Sequence, residues 1–165
     1  MDSKKTIEIL KTAILLERRG KSFYASCAEQ SKNTEIKKIF NTLAEEEDQH
    51  VEFLNAQFIN FTKNNKFSSE HIPVKEATID KIFTDKIKKE ITAADFESAA
   101  ISAAIDMENR AITVYSEQAE ASLDPEEKKF YSFLADWERG HHKLLYDLDK
   151  ELKENIWNDN HFWPF

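Results

Sequence analysis

Residues 13 to 54 of this chain align with residues 104 to 145 without a gap, at a constant offset of 91. Identical pairs include Ala13/Ala104, Ile14/Ile105, Glu17/Glu108, Arg19/Arg110, Tyr24/Tyr115, Leu43/Leu134, Glu47/Glu138 and His50/His141. A segment copied whole is one supersecondary unit, so both copies must fold alike. In each copy, apolar residues recur at helical spacing on both sides of a short turn. Each therefore reads as a helical hairpin. Two hairpins joined by a long connection predict an all-α, antiparallel four-helix bundle with pseudo-twofold symmetry. The chain has only two Gly and three Pro. A sheet fold of this size needs more turn residues.

The first helix is expected from about Lys4 to Gln30, with Ile7, Leu10, Ile14, Tyr24 and Ala28 on one face. Asn33 is a plausible N-cap for the second, which runs to about Thr62 with Ile36, Phe40, Leu43 and Leu54 inward. Residues 63–91 break the pattern and serve as the crossover, with a short helix near 79–88. The third helix starts near Thr92, where Thr92-x-x-Asp95 resembles a capping box, and ends near Ser122. Asp124-Pro125-Glu126-Glu127 reads as N-cap, first-position proline and first-turn acids of a fourth helix ending near Lys153. Residues 1–156 thus make the bundle and residues 157–165 an aromatic tail.

Polar residues interrupt the apolar faces at matched places. Each copy has one lone glutamate, Glu17 or Glu108. Each also has one Glu-x-x-His pair, Glu47/His50 or Glu138/His141, beginning 30 residues later. On a helix this spacing puts the pair on one face, one turn apart. The antiparallel hairpin brings the lone glutamate to a similar height. Four carboxylates inside an apolar bundle repel one another and lose their hydration. They must take up protons or cations. Two divalent ions cancel four carboxylates, and two neutral imidazoles complete the donor set. Oxygen and imidazole donors without thiolate favour iron or manganese. Tyr24 and Tyr115, two turns beyond the lone glutamates, read as core residues whose hydroxyls bond the ligand carboxylates.

The totals restrict the alternatives. A formal net charge of -8 opposes nonspecific nucleic-acid binding, which needs a basic face. No run approaches the ~20 apolar residues of a membrane span. With one cysteine, Cys27, there is no internal disulfide and no cysteine-rich metal module, and the N-terminal residues lack a signal-peptide core. A cytoplasmic protein is expected. His142 lies about 100° around the helix from His141 and reads as a surface residue. His71 and His161 fall in irregular segments, Cys27 reads as a small core residue, and Arg19 and Arg110 as solvated charge.

With Glu17, Glu47-x-x-His50, Glu108 and Glu138-x-x-His141 in place, the chain resembles the ferritin-like superfamily, and within it the rubrerythrin-like di-iron proteins. The resemblance implies two iron ions, with manganese or a mixed pair as variants. Glu47 and Glu138 would bridge them, Glu17 and Glu108 would each bind mainly one, and His50 and His141 would be terminal ligands. It further implies a reduced centre that reacts with O2 or peroxide, an electron donor not visible in the chain, and a homodimer. Two features depart from the family pattern. One cysteine cannot make a rubredoxin-like iron site. Where the family carries a further glutamate, one turn after the lone Glu of the third helix, this chain has Ala111. The redox-linked iron shift tied to that glutamate is therefore not carried over. The matching residue in the first helix is Gly20, which costs about 1 kcal/mol relative to Ala inside a helix. These two small residues are expected to leave room beside the metals for O2, peroxide or water. Two other readings stay open: an iron-binding or storage protein of ferritin type, and a metal-free helical interaction module.

Overall fold

The computed structural model describes residues 3–68 and 95–159. Four helices account for nearly all of them: α1 (Ser3–Gln30), α2 (Thr34–Asn64), α3 (Asp95–Ala121) and α4 (Pro125–Asp159). Helix α1 packs along α2, α3 packs along α4, and α1 also meets α3. This is a ferritin-like, all-α four-helix bundle. Among the described residues no helix is long and apolar enough to cross a membrane.

The two turns are built alike. Asn33 Oδ1 accepts hydrogen bonds from the backbone N–H of Glu35 at 2.9 Å and of Ile36 at 3.1 Å. At the equivalent turn, Asp124 Oδ1 accepts from Glu126 N at 2.8 Å and Glu127 N at 3.3 Å. Each cap satisfies N–H groups that a helix start leaves without partners. One contact then ties the hairpins together. The buried Glu97 of α3 accepts from Lys32 N at 2.7 Å and Asn33 N at 3.3 Å. A carboxylate placed against the start of α2 also opposes the positive end of that helix dipole.

Helix ends differ from expectation where the sequence has no strong stop. Helix α2 runs two residues past Thr62 and closes on Asn65, whose φ of 52° lies in the left-handed region and whose N–H bonds Phe61 O at 2.8 Å. Asn tolerates that conformation better than most residues. Helix α4 continues past Lys153 to Asp159, so the first residues of the expected tail are helical. No Gly or Pro lies between Gly140 and Pro164 to end it. The proposed Thr92 cap, the short crossover helix, His71, His161 and the rest of the tail lie outside the described residues.

The interior divides into two apolar clusters. One is built around Tyr24, Phe40, Leu43, Ile101, Ala104 and Leu145. The other is built around Leu10, Ala13, Leu54, Tyr115, Tyr131 and Leu134. These are matched pairs under the 91-residue offset, so the clusters are copies of one packing arrangement at opposite ends of the bundle. Phe67 joins the second cluster against Phe61, Phe130 and Tyr131, with ring centroids 5.3 to 6.0 Å apart. It anchors the start of the crossover. Between the clusters lies a polar layer.

Candidate metal centre

The polar layer holds all six residues singled out by spacing. Each is at most 2% exposed: Glu17 on α1, Glu47 and His50 on α2, Glu108 on α3, Glu138 and His141 on α4. The helices place them there by register alone. Each occupies a position where the apolar stripe would otherwise continue, so packing the stripe inward carries the acids with it.

Their donor atoms form two overlapping groups, Glu17/Glu47/His50/Glu138 and Glu47/Glu108/Glu138/His141, and within each group the atoms lie within 4.8 Å of one another. Glu47 and Glu138 belong to both. His50 Nδ1 lies 2.9 Å from Glu138 Oε1, 3.2 Å from Glu17 Oε2 and 3.3 Å from Glu47 Oε2. His141 Nδ1 lies 3.1 Å from Glu138 Oε2, 3.4 Å from Glu47 Oε1 and 3.6 Å from Glu108 Oε1. The two imidazoles are near parallel, 18° apart, with centroids 5.4 Å apart. The tyrosine hydroxyls cross between halves: Tyr24 donates to Glu108, and Tyr115 donates to Glu17. Each half therefore fixes the lone carboxylate of the other.

The layer's electrostatics follow from its dryness. Burial, then the charges of Glu138 and Glu47, push Glu17 well above the ordinary carboxylate range. Burial and Glu138 do the same to Glu108. Burial opposes charge on His50, but the Glu138 charge and its carboxylate contacts prevail and raise its pKa. Burial likewise opposes charge on His141, and contacts with Glu108, Glu138, Glu46 and Glu47 raise it. Glu47 resists burial and the Glu138 charge, and is held at about 2 by contacts with Glu17, His141 and His50. Glu138 also resists burial and is held well below the usual range, chiefly by His50. Without metal, Glu17 and Glu108 thus favour their protonated forms, and the carboxylates of the layer favour charge on the two imidazoles.

That arrangement leaves atoms unused. Glu47 Oε2, both oxygens of Glu138 and His141 Nδ1 are buried and make no hydrogen bond, although the contacts above place partners within about 3 Å of several. Buried polar atoms are ordinarily paired. Here they are crowded into the two donor groups, as ligands of an ion are. Four carboxylate groups and two imidazoles, with two carboxylates common to both sets, fit a pair of divalent cations in number, charge and donor type. The cluster could hold metal.

Three contacts escaped the sequence reading. Glu46 stands in the acidic run Glu45-Glu46-Glu47-Asp48 and looks solvated there. It is only 5% exposed, accepts from Trp137 Nε1 at 2.8 Å and lies 2.9 Å from His141 Nε2. The available signal was its repeat counterpart, Trp137, an aromatic residue at the same helical position. Glu97 had no such signal, since its counterpart Thr6 is small and polar. At Gly20, an added Cβ would sit 3.3 Å from the carboxylate carbon of Glu47. Part of the space expected at that glycine is therefore taken by a carboxylate. The remainder is a cavity of about 10 Å³, lined by Leu16, Gly20, Met107 and Ala111 over Glu17, Glu47, Glu108 and Glu138. These eight residues are four repeat pairs, so the cavity straddles the pseudo-twofold axis.

The other residues take bland places. Cys27 is buried in the first cluster, Arg19 and Arg110 are exposed, and the partly buried His142 stacks on Tyr146 with centroids 6.2 Å apart.

No curated protein and no solved structure matches the chain. The family model described as Rubrerythrin matches residues 8–149, which takes in both hairpins and every residue of the polar layer. The chain belongs to the rubrerythrin family.

Proposed function

We infer that the polar layer binds two iron ions and that the protein is a non-haem di-iron oxidoreductase acting on peroxide or O2. The observation that carries this reading is the pair of buried donor sets sharing Glu47 and Glu138. In it, Glu47 and Glu138 are the shared ligands. Glu17 and His50 complete one position, and Glu108 and His141 the other. Held by these six residues, a reduced iron pair would supply the two electrons that, with two protons, convert one hydrogen peroxide to two waters, and an external donor would return them.

The chain's own residues set the conditions. Tyr24 and Tyr115 hold Glu108 and Glu17 in place through hydrogen bonds. The two apolar clusters above and below keep water out, which strengthens every charge interaction in the layer. The cavity over the carboxylates, at about 10 Å³, has room for about one water-sized molecule. That size supports a small oxidant over an organic substrate.

Metal analysis of protein purified without air, followed by optical spectra on adding peroxide, tests the reading. Two irons per chain and a rapid spectral change are expected. Uptake far beyond two irons would favour a storage role instead. A protein that takes up no metal and is fully stable would end the proposal.

A further inference from the structure

The repeat makes the six donors identical in both halves but does not extend to the residues behind the histidines. At one matched position the first half has Glu46 and the second has Trp137. Both are buried, each 5% exposed, and they meet across the bundle: Trp137 Nε1 donates to Glu46 Oε2 at 2.8 Å. The same oxygen lies 2.9 Å from His141 Nε2. The His141 ring is thereby gripped from both sides, with Nε2–H on a carboxylate and Nδ1 toward Glu138, Glu47 and Glu108. His50 has nothing equivalent. Its Nε2 is buried without a hydrogen-bond partner, and its ring meets the Trp137 indole edge-on, at 4.4 Å between centroids and 83° between planes.

A carboxylate on the far nitrogen of a ligating histidine fixes its tautomer and ring angle and makes the near nitrogen a stronger donor. An indole does neither. Glu46 also places a carboxylate at one end of the layer only, bonded to Trp137 and facing His141.

We propose that Glu46, braced by Trp137, makes the two metal positions unequal, so that the Glu108/His141 position binds a divalent ion more tightly than the Glu17/His50 position. This rests on the reading that the layer binds two metals. Glu46 is a positioning residue: it acts through His141. Removing such a partner typically weakens metal binding about 10- to 100-fold, which sets the size of the expected gap.

Titrating metal-free protein with Co2+, followed by calorimetry and by the cobalt absorption bands, tests it without any turnover. Wild-type protein should fill in two steps at least about tenfold apart in affinity. The Glu46→Gln variant should still take two ions while its tighter step weakens until the two merge. His50→Ala should keep the tight step and His141→Ala should lose it. In the His50→Ala background Glu46→Gln should still weaken binding, and in the His141→Ala background it should not. Two equal steps in wild-type protein would overturn the inequality while leaving the di-metal reading intact, and this holds even if a variant fails to fold. A tight step that survives His141→Ala would overturn the assignment. No cobalt uptake at all would remove both readings.

Discussion

Glu17 and Glu108, Glu47 and Glu138, and His50 and His141 are identical across the two hairpins, and so are the tyrosines that bond the lone carboxylates across the bundle. Among their neighbours the match is incomplete. Gly20 is paired with Ala111, Glu46 with Trp137, Cys27 with Gln118. The contrast separates what a shared pair of metals would demand from what each half does alone. In that reading charge balance and donor count act on the pair jointly, so neither half could change a donor without leaving a buried charge uncompensated. Residues behind the donors are under no such joint constraint, and there the halves have become different.

The largest effect should come from removing what the halves share. Stripping the metals with a chelator removes two bound ligands. If each site is filled at a hundredfold over its dissociation constant, the loss is about 5 kcal/mol. In a domain of this size that lowers the melting temperature by about 10–20 °C, measurable by calorimetry. Among variants, Glu138→Ala removes a ligand common to both sets and should take metal content from two toward none. Glu17→Ala removes a ligand of one set and should take it toward one. Equal losses from the two variants would mean that the sets do not overlap as their geometry indicates.

The next effect is in protons. Without metal, burial and neighbouring charge favour a proton on Glu17 and Glu108, and carboxylate contacts favour one on His50 and His141. Divalent ions bound in the layer would displace such protons. Calorimetry in buffers of different ionisation enthalpy should find net proton release on metal binding near neutral pH. The signs for stability follow. Glu17 and Glu108 have raised folded pKa values, so the folded state holds their protons longer, and stability falls as pH rises above 4.5 toward those values. The raised histidines add stability that is full below 6.5 and is lost as pH climbs through their folded values. Glu47 and Glu138 act oppositely: their contribution is present above 4.5 and is lost as pH falls, for Glu47 toward about 2. Metal-free protein should therefore be most stable in mild acid. Metal-loaded protein should gain stability with rising pH, because protons compete with the ions. Parallel pH profiles for the two forms would show that the protons sit elsewhere.

The duplication explains why so much of this was legible in the sequence. A single Glu-x-x-His says little, but the offset of 91 ties two of them to two lone glutamates in apolar stripes. A bundle then has only one way to face those stripes. The turns were equally plain, because Asn33 and Asp124 are strong caps at matched places. What stayed hidden has a common cause. Glu46 and Glu97 act across the bundle, on His141 and on the turn at Lys32, through contacts 95 and 65 residues away in the chain. Helical periodicity reports which face a residue occupies and says nothing about what another helix brings to it. Glu46 was masked further by acidic neighbours. The cost of Gly20 inside a helix is visible in the sequence, yet the carboxylate that fills part of its space belongs to α2.

Gly20 and Ala111 allow a smaller and sharper contrast, because both line the cavity over the carboxylates. Gly20→Ala adds a carbon 3.3 Å from the Glu47 carboxylate, tighter than ordinary packing. The gain of about 1 kcal/mol in helix propensity should be offset by pressure on a shared ligand. Metal affinity should fall at both positions. Ala111→Val instead fills the cavity from α3, at an overpacking cost of about 1–3 kcal/mol. Its metal content should hold while its reaction with peroxide slows. If Ala111→Val reacts at the wild-type rate, the oxidant reaches the centre by another route.

The smallest effect compares the two caps. Asn33→Ala and Asp124→Ala each remove a side chain that bonds two backbone N–H groups, worth about 0.5–2 kcal/mol apiece. The sites are not equivalent, because the N–H groups of Lys32 and Asn33 are also held by Glu97 of α3, whereas α1 offers the Asp124 turn only Thr6 at the position matching Glu97. With Glu97 keeping the chain in place, the α1–α2 turn should survive loss of its cap better. Asp124→Ala should therefore cost more than Asn33→Ala in denaturant unfolding. Adding Glu97→Gln to Asn33→Ala should then cost more than the two changes made separately, the sign expected when two groups secure the same turn.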